Sequence, residues 1–356
     1  MSRERWIGLA LLAVAVVGGL LVAPRVLLAS WLAAWWWCLG VVLGCFANAW
    51  MHTLTGGRWG EPLGAAAVLL APLVPWLLLA LVPIAVGYAS LYPWADPTGA
   101  WLHIFSRPTF PHAWLSPPFF IGRLVLYAIV WWAITRPTWF LRKGRAAAAL
   151  LLYTLLTSLA AVDLLMSLVA GWYSTAFGLV ALSVQMLSGA AAAVVLSHGD
   201  PGARTRTGVD DSVPVSRDLG NLMLTWVMTW GYLSFMQFLI MWSENLPHEV
   251  SWWVPRLQTG WFWVGVALVI LQLAVPFTAL LFRGVKDHPH RLTRVAWLLL
   301  FATALDAVWM VLPSVDAHSL HGWWLVPLLF AGAGLLLFGG VRGRLAPSPS
   351  ELRHAQ

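Results

Sequence analysis

The sequence predicts an all-α integral membrane protein with about ten transmembrane helices, and three observations carry that prediction. Of its 356 residues, 60% are hydrophobic and only 10% charged, against about 25% charged residues in a soluble domain. The mean hydropathy is +0.77. The apolar residues gather in runs of roughly 20, the length that crosses a hydrocarbon core. The 26 Trp fall mostly near the ends of those runs, where an amphipathic indole collects at the bilayer interface.

The runs place spans near 6–22, 27–50, 63–90, 119–135, 146–169, 174–196, 221–242, 261–282, 295–312 and 324–341. The third carries Pro72, Pro75 and Pro83, each of which removes a backbone donor, so it is read as one kinked helix. Charge supports that choice, because lysines and arginines are retained on the cytoplasmic side. Ten spans put 17 of the 21 Lys and Arg on the N-terminal side and leave Arg25, Arg107, Arg123 and Arg256 on the other. Splitting the third span degrades the sorting to 15 against 6. Both termini are therefore expected in the cytoplasm of a bacterial cell, with the chain in the inner membrane. The stretch Leu21, Val22, Ala23, Pro24 makes a poor signal-peptidase site, so the first span is expected to be retained.

Between spans, the proline-rich stretch from Asp96 to Pro118 is expected to be irregular and periplasmic, and residues 197–219 form a polar cytoplasmic loop. Residues 1–345 are read as one polytopic membrane domain and 346–356 as a disordered cytoplasmic tail. Asp218 is read as the N-cap of the seventh helix.

The net charge of +7 is scattered over short loops without a basic stripe, which excludes a nucleic-acid surface. The ten histidines are expected in loops or at helix ends, so no pair is placed to hold a haem within the spans. Cys38 and Cys45, seven residues apart on one helix, are too far apart for a disulfide, lack a metal partner and are read as packing residues. No glycine-rich phosphate loop follows a strand. The chain is expected to hold no cofactor or metal of its own.

A carboxylate in a span needs a partner, a wet cavity or a proton. Asp163 on the fifth span, Asp306 on the ninth and Glu244 at the exit of the seventh all fall toward the periplasmic side in this topology. Tyr153, Thr157, Asp163 and Ser167 share about a third of the fifth helix at 100° per residue, and Asn221, Thr225, Thr229, Tyr232 and Ser243 make a similar stripe on the seventh. Cys45, Asn48 and His52 line the cytoplasmic end of the second. Such stripes can order a chain of waters that carries protons, with His52 at the cytoplasmic entrance. Ser and Thr in membrane helices also bond their own i−4 carbonyls and let helices approach, so packing is the competing reading.

The segment Asp163, Leu164, Leu165, Met166, Ser167, Leu168, then Trp172, Tyr173, Ser174, Thr175 and Gly178 resembles the signature of the polysulfide-reductase (NrfD-like) membrane family. A second block, Asp218 to Asn221 leading to Tyr232, Phe235, Gln237, Phe238, Trp242, Ser243, Asn245, Leu246 and Pro247, is similar to the ActF subunits of bacterial alternative complex III, as is Gly56, Gly57, Arg58, Trp59, Gly60. The resemblance implies ten spans whose central eight form two four-helix bundles. It also implies a cofactor-free subunit of a quinol:cytochrome c oxidoreductase, not catalytic alone. Its expected partners are a second NrfD-like subunit and periplasmic iron–sulfur and multihaem cytochrome subunits, which would hold the quinol, haem and iron–sulfur cofactors. Quinol sites in the family commonly have a histidine where this chain has Gly171, which points away from quinol oxidation here and toward proton movement through Asp163, Glu244 and Asp306. A secondary transporter and a purely structural anchor remain the rival readings.

Overall fold

The computed structural model describes residues 3–57, 59–105, 108–139, 142–198, 213–244, 246–318 and 322–345. The helices that organise the chain are α1 Arg3–Val22, α2 Pro24–Thr55, α3 Glu61–Leu79, α4 Val82–Leu91, α5 Thr109–Trp114, α6 Pro117–Ile134, α7 Lys143–Leu164, α8 Phe177–His198, α9 Val213–Glu244, α10 Trp261–Leu281, α11 Pro289–Val315 and α12 Leu325–Leu345. Among the described residues there is no strand, and nine helices (α1, α2, α3 and α6 to α11) are long and apolar enough to cross a membrane. The chain is an all-α membrane protein. Asn245, Arg58, most of the 197–219 loop and the 346–356 tail lie outside the described residues.

Helices α2 and α8 form the centre, buried along nearly their whole length. Where they cross, Gly44 and Gly189 let the backbones touch. A Cβ on Gly44 would fall 1.9 Å from the Gln185 carbonyl oxygen, and one on Gly189 would fall 2.1 Å from the Gly44 carbonyl carbon. Lipid gives helices little hydrophobic reason to associate, so close approach through small residues supplies the contact. The crossing is tied by Asn48 Nδ2 donating to the carbonyls of Gly44 (2.8 Å) and Met186 (2.9 Å), and by Cys45 Sγ against the Gly189 carbonyl (3.2 Å). Cys45 and the buried Cys38 are both unbridged.

The first and last helices pair away from this centre. α1 and α12 run antiparallel, with Gly8 against Gly332, Gly18 against Trp324 and Glu4 against Gly339, which brings the two ends of the described chain to one side of the molecule. They share a smaller apolar cluster with the start of α2.

The third span differs from the single kinked helix that its sequence predicts. α3 contains a 3-10 turn at Ala71–Leu73, and a break at residues 80–81 separates it from α4. At the break, Leu81 N bonds the Leu78 carbonyl and Ile84 N bonds the Leu81 carbonyl, which frees the carbonyls of Leu77 and Ala80. The indoles of Trp35 (2.7 Å) and Trp31 (2.8 Å) donate to them. A freed carbonyl at membrane depth needs such a donor, so two of the many Trp residues hold an interrupted helix together.

At the seventh span the helix starts earlier than the sequence predicts. α9 begins at Val213 with Pro214 in its first turn, where a missing N–H costs nothing. Asp218 is therefore inside the helix and is not its N-cap.

Candidate functional site

Asp163 stands at the end of α7, fully buried, and α6 supplies its partner. Arg123 Nε reaches Asp163 Oδ2 at 2.7 Å and Nη2 reaches Oδ1 at 3.0 Å, a bidentate pair. Tyr127 donates to Oδ2 at 2.6 Å, and the Trp114 indole on α5 donates to Oδ1 at 3.0 Å. Arg123 Nη1 also donates to the Trp114 carbonyl at 2.8 Å, with the guanidinium over the Trp114 ring. The irregular 93–116 segment is thus clasped onto the ion pair. A carboxylate whose oxygens accept four hydrogen bonds, two of them from a guanidinium, is held as a charge partner.

The stripe that the sequence places on α7 faces inward. Thr157 accepts from the Trp131 indole (3.3 Å), Tyr153 donates to Gln185 Oε1 on α8 (3.1 Å), and Trp226 of α9 donates to Asn48 Oδ1 (3.0 Å). Tyr153, Thr157, Gln185 and Asn48 are all buried. Gln185 Nε2 has no acceptor among the described residues.

Asp306 on α11 is built differently. It is 2% exposed, and among the described residues no carboxylate or cation pairs with it. The Trp230 indole of α9 faces its carboxyl, while Oδ2 meets no donor among the described residues. Opposite lies a π-helical stretch of α10, Val269–Ala274. Pro276 cannot donate to the carbonyl four residues before it, which is one cause of such a distortion. Gln272 in that stretch is fully buried. Its amide nitrogen donates to the Ala302 carbonyl (3.1 Å), and its oxygen accepts from Trp230 Nε1 (3.2 Å). Thr303, one turn before Asp306, accepts from Trp37 Nε1 on α2 (3.3 Å).

The sequence places all three acids toward one membrane face, and the structure sets them at different distances from the C-terminal ends of their helices. α11 extends beyond the expected span to Val315, so Asp306 lies nine residues, ~13 Å, inside its C-terminal end, level with the middle of α10. Asp163 and Glu244 stand at helix ends. Glu244 is exposed, and no side chain bridges the three acids. His52 does not look toward them either. Its Nε2 meets the Gly57 carbonyl at 2.6 Å, and its ring packs on Trp59 and against Gly60, which fastens the loop after α2.

Tyr232 is 61% exposed on the outer face of α9, so the expectation that it positions interior water is corrected. Thr225 and Thr229 on the same side donate to the carbonyls of Asn221 and Thr225 in their own helix.

The family-motif residues divide similarly. Ser167 donates to the Asp163 carbonyl (2.5 Å) and accepts from Trp94 (3.2 Å). Trp172 is buried, stacked on Trp252 at 5.1 Å, and donates to the Glu249 carbonyl. Gln237 is buried, Ser174 half-buried and Tyr173 exposed. Gly171 has φ +87° with Ile104 pressed against it, a conformation that suits glycine and would strain a histidine.

Two arginines were assigned to the far side by sequence without partners. Arg123 carries a legible signal, since it falls inside a span at the same end as Asp163 on the next one. Arg256 carries little. It is fully buried, and donates to the carbonyls of Trp252 (2.7 Å), Trp309 (3.1 Å) and Met310 (2.7 Å) and to Ser314 Oγ (2.9 Å), with Trp252 stacked over it at 3.5 Å. Pro313 has no N–H to give the Trp309 carbonyl, and Arg256 supplies the donor.

Neither a family model nor a curated protein matches this chain.

Proposed function

We propose that the chain is a ten-span, cofactor-free subunit of a respiratory quinol:electron-acceptor oxidoreductase of the alternative complex III type, and that Asp306 is the group in it that takes up and releases a proton. In this reading it lies in the bacterial inner membrane with both termini cytoplasmic, its central eight helices forming two four-helix bundles. Its partners are a second NrfD-like subunit and the periplasmic iron–sulfur and multihaem subunits. Quinol, haem and iron–sulfur chemistry reside in those partners.

The observation that carries the proton role is the Asp306 Oδ2 atom, buried in a span with no donor among the described residues. A carboxyl so placed requires a proton or a water. Trp230, with Gln272 of the π-helical stretch of α10 beside it, faces the carboxyl with dipoles, and no fixed charge pairs with it among the described residues. The Asp163–Arg123 pair holds the outer end of α6 and α7 and anchors the 93–116 segment. The resemblance of the 163–178 and 218–247 blocks supports membership in the redox complex.

The test is Asp306→Asn in the complex purified from native membranes and reconstituted in vesicles, with electron transfer and proton release measured together. Electron transfer by the sister subunits should persist while coupled proton movement falls at least tenfold. Unchanged proton movement would remove Asp306 from the path. The interrupted α10 also favours a second reading, a secondary transporter, whose sites lie at broken helices near the membrane centre. Substrate uptake by liposomes holding this chain alone would establish that reading instead.

A further inference from the structure

The outward faces of the helices are not alike. On α6 the exposed side chains include Val125, Leu126 and Ile129, and beyond the first turns of α7 the large exposed side chains are Leu151, Leu155 and Leu159, all suited to acyl chains. On α9 the exposed face runs through Asp218, Asn221, Thr225, Met228, Tyr232 and Phe235, at the three- and four-residue steps of one helix side. Thr225 spends its proton on its own helix, and Asn221 accepts from Lys286 (2.8 Å). The Tyr232 hydroxyl is bonded to nothing among the described residues, although it lies twelve residues, ~18 Å, from the end of α9 at Glu244. It also falls at the middle of the apolar run 221–242 expected to cross a hydrocarbon core about 30 Å thick, which puts it out of reach of headgroups on either side. Hydrocarbon offers a phenol no acceptor.

We infer that this face of α9 is covered by a transmembrane helix of a different polypeptide, one that presents a hydrogen-bond acceptor at the depth of Tyr232 and a basic residue near Asp218. A second copy of this chain fits worse. Parallel packing of two α9 helices on this face would set Asp218 against Asp218, and like charges repel across such an interface. Small side chains on the partner would let it approach the Asn221–Thr225 stretch closely. The inference rests on reading the chain as one subunit of a larger membrane assembly, and it identifies the surface through which that assembly forms.

The experiment places p-benzoylphenylalanine at Met228 or Phe235 on α9, and at Val125 or Ile129 on α6, in the full chain expressed in its native membrane. After irradiation, the α9 positions should give an adduct with one distinct membrane polypeptide, and the α6 positions should give lipid adducts alone. Tyr232→Phe should lower the recovery of that polypeptide with the chain several-fold. Lipid adducts alone at α9, an adduct of twice the chain's mass, or equal polypeptide adducts at α6 would each overturn the proposal. So would full recovery of the partner with Tyr232→Phe. If other polypeptides co-purify while α9 yields only lipid adducts, this surface is wrong and the subunit reading stands.

Discussion

Asp163 and Asp306 are both buried acids on long apolar helices, and their surroundings are opposite. Asp163 ends its helix, where α5 and α6 can reach it with an arginine, a phenol and an indole, and its oxygens are fully occupied. Asp306 sits mid-helix among neutral groups, with one oxygen bonded to nothing described. The number of donors, more than depth, separates a fixed counter-ion from a carboxyl able to exchange a proton. At Asp163 the charge is part of the scaffold; at Asp306, in the proposed reading, it comes and goes with a proton.

The sharpest way to break this comparison is at the ion pair. Asp163→Asn leaves the Arg123 guanidinium buried without its counter-charge, which is expected to cost about 3–5 kcal/mol. Arg123→Gln should cost a similar amount. The double variant should recover more than half of the sum, because neither charge is then stranded. Thermal unfolding of the purified chain in detergent measures all three. A singly substituted Asp163→Asn chain as stable as the parent would mean that the pair is not the scaffold described.

Arg256 sharpens the contrast from the cation's side, since it is buried on carbonyls and one hydroxyl with no carboxylate touching it among the described residues. Arg256→Met would strip the donor from the Trp309 carbonyl that Pro313 leaves free, and from two further carbonyls. The expected loss is about 2–3 kcal/mol by the same assay, on the usual cost of stranded buried acceptors. Asp306→Asn should do least to stability, about 1 kcal/mol or less, because it removes no counter-ion and keeps an acceptor toward Trp230. A loss as large as that of Asp163→Asn would place an unseen partner on Asp306 and end the distinction.

Much of this was legible in the sequence, and the exceptions have a common cause. Nine of the apolar runs lie on helices long and apolar enough to cross a membrane, and the α7 stripe of Tyr153, Thr157 and Asp163 does face the interior. The α9 stripe has the same spacing and faces out. In water an outer face is marked by polarity, but in lipid both faces are apolar, so periodicity fixes which residues share a side without fixing which side is inside. The prolines of the third span predict only a kink, and the indoles that mend the break after α3 lie more than 40 residues away in sequence. Gln272 was not singled out because one glutamine in an apolar run carries no sign of the π-helical stretch that turns it toward Trp230.

The smallest predicted effect comes from a second carboxylate–arginine pair, which repeats the geometry of Asp163–Arg123 in contact with solvent. Arg217 holds Asp287 with two bonds of 2.8 Å, but the two side chains are 41% and 23% exposed. Hydrogen bonds from Arg217 lower the Asp287 pKa against a smaller opposing effect of desolvation, with Arg283 and His288 adding to the lowering. A carboxylate whose folded pKa is depressed contributes stability above its unfolded pKa, about 3.9, and loses that contribution as pH falls through the folded value. The parent should therefore exceed Asp287→Asn slightly in unfolding temperature by an amount that stays flat from neutral pH down to about 5 and then shrinks as pH falls through the depressed folded value. Raised salt should shrink it too, because exposed pairs are screened. The buried Asp163–Arg123 pair, by contrast, should show little salt dependence. If the Asp287 difference grew on acidification, or if salt weakened both pairs equally, burial would not be what separates them.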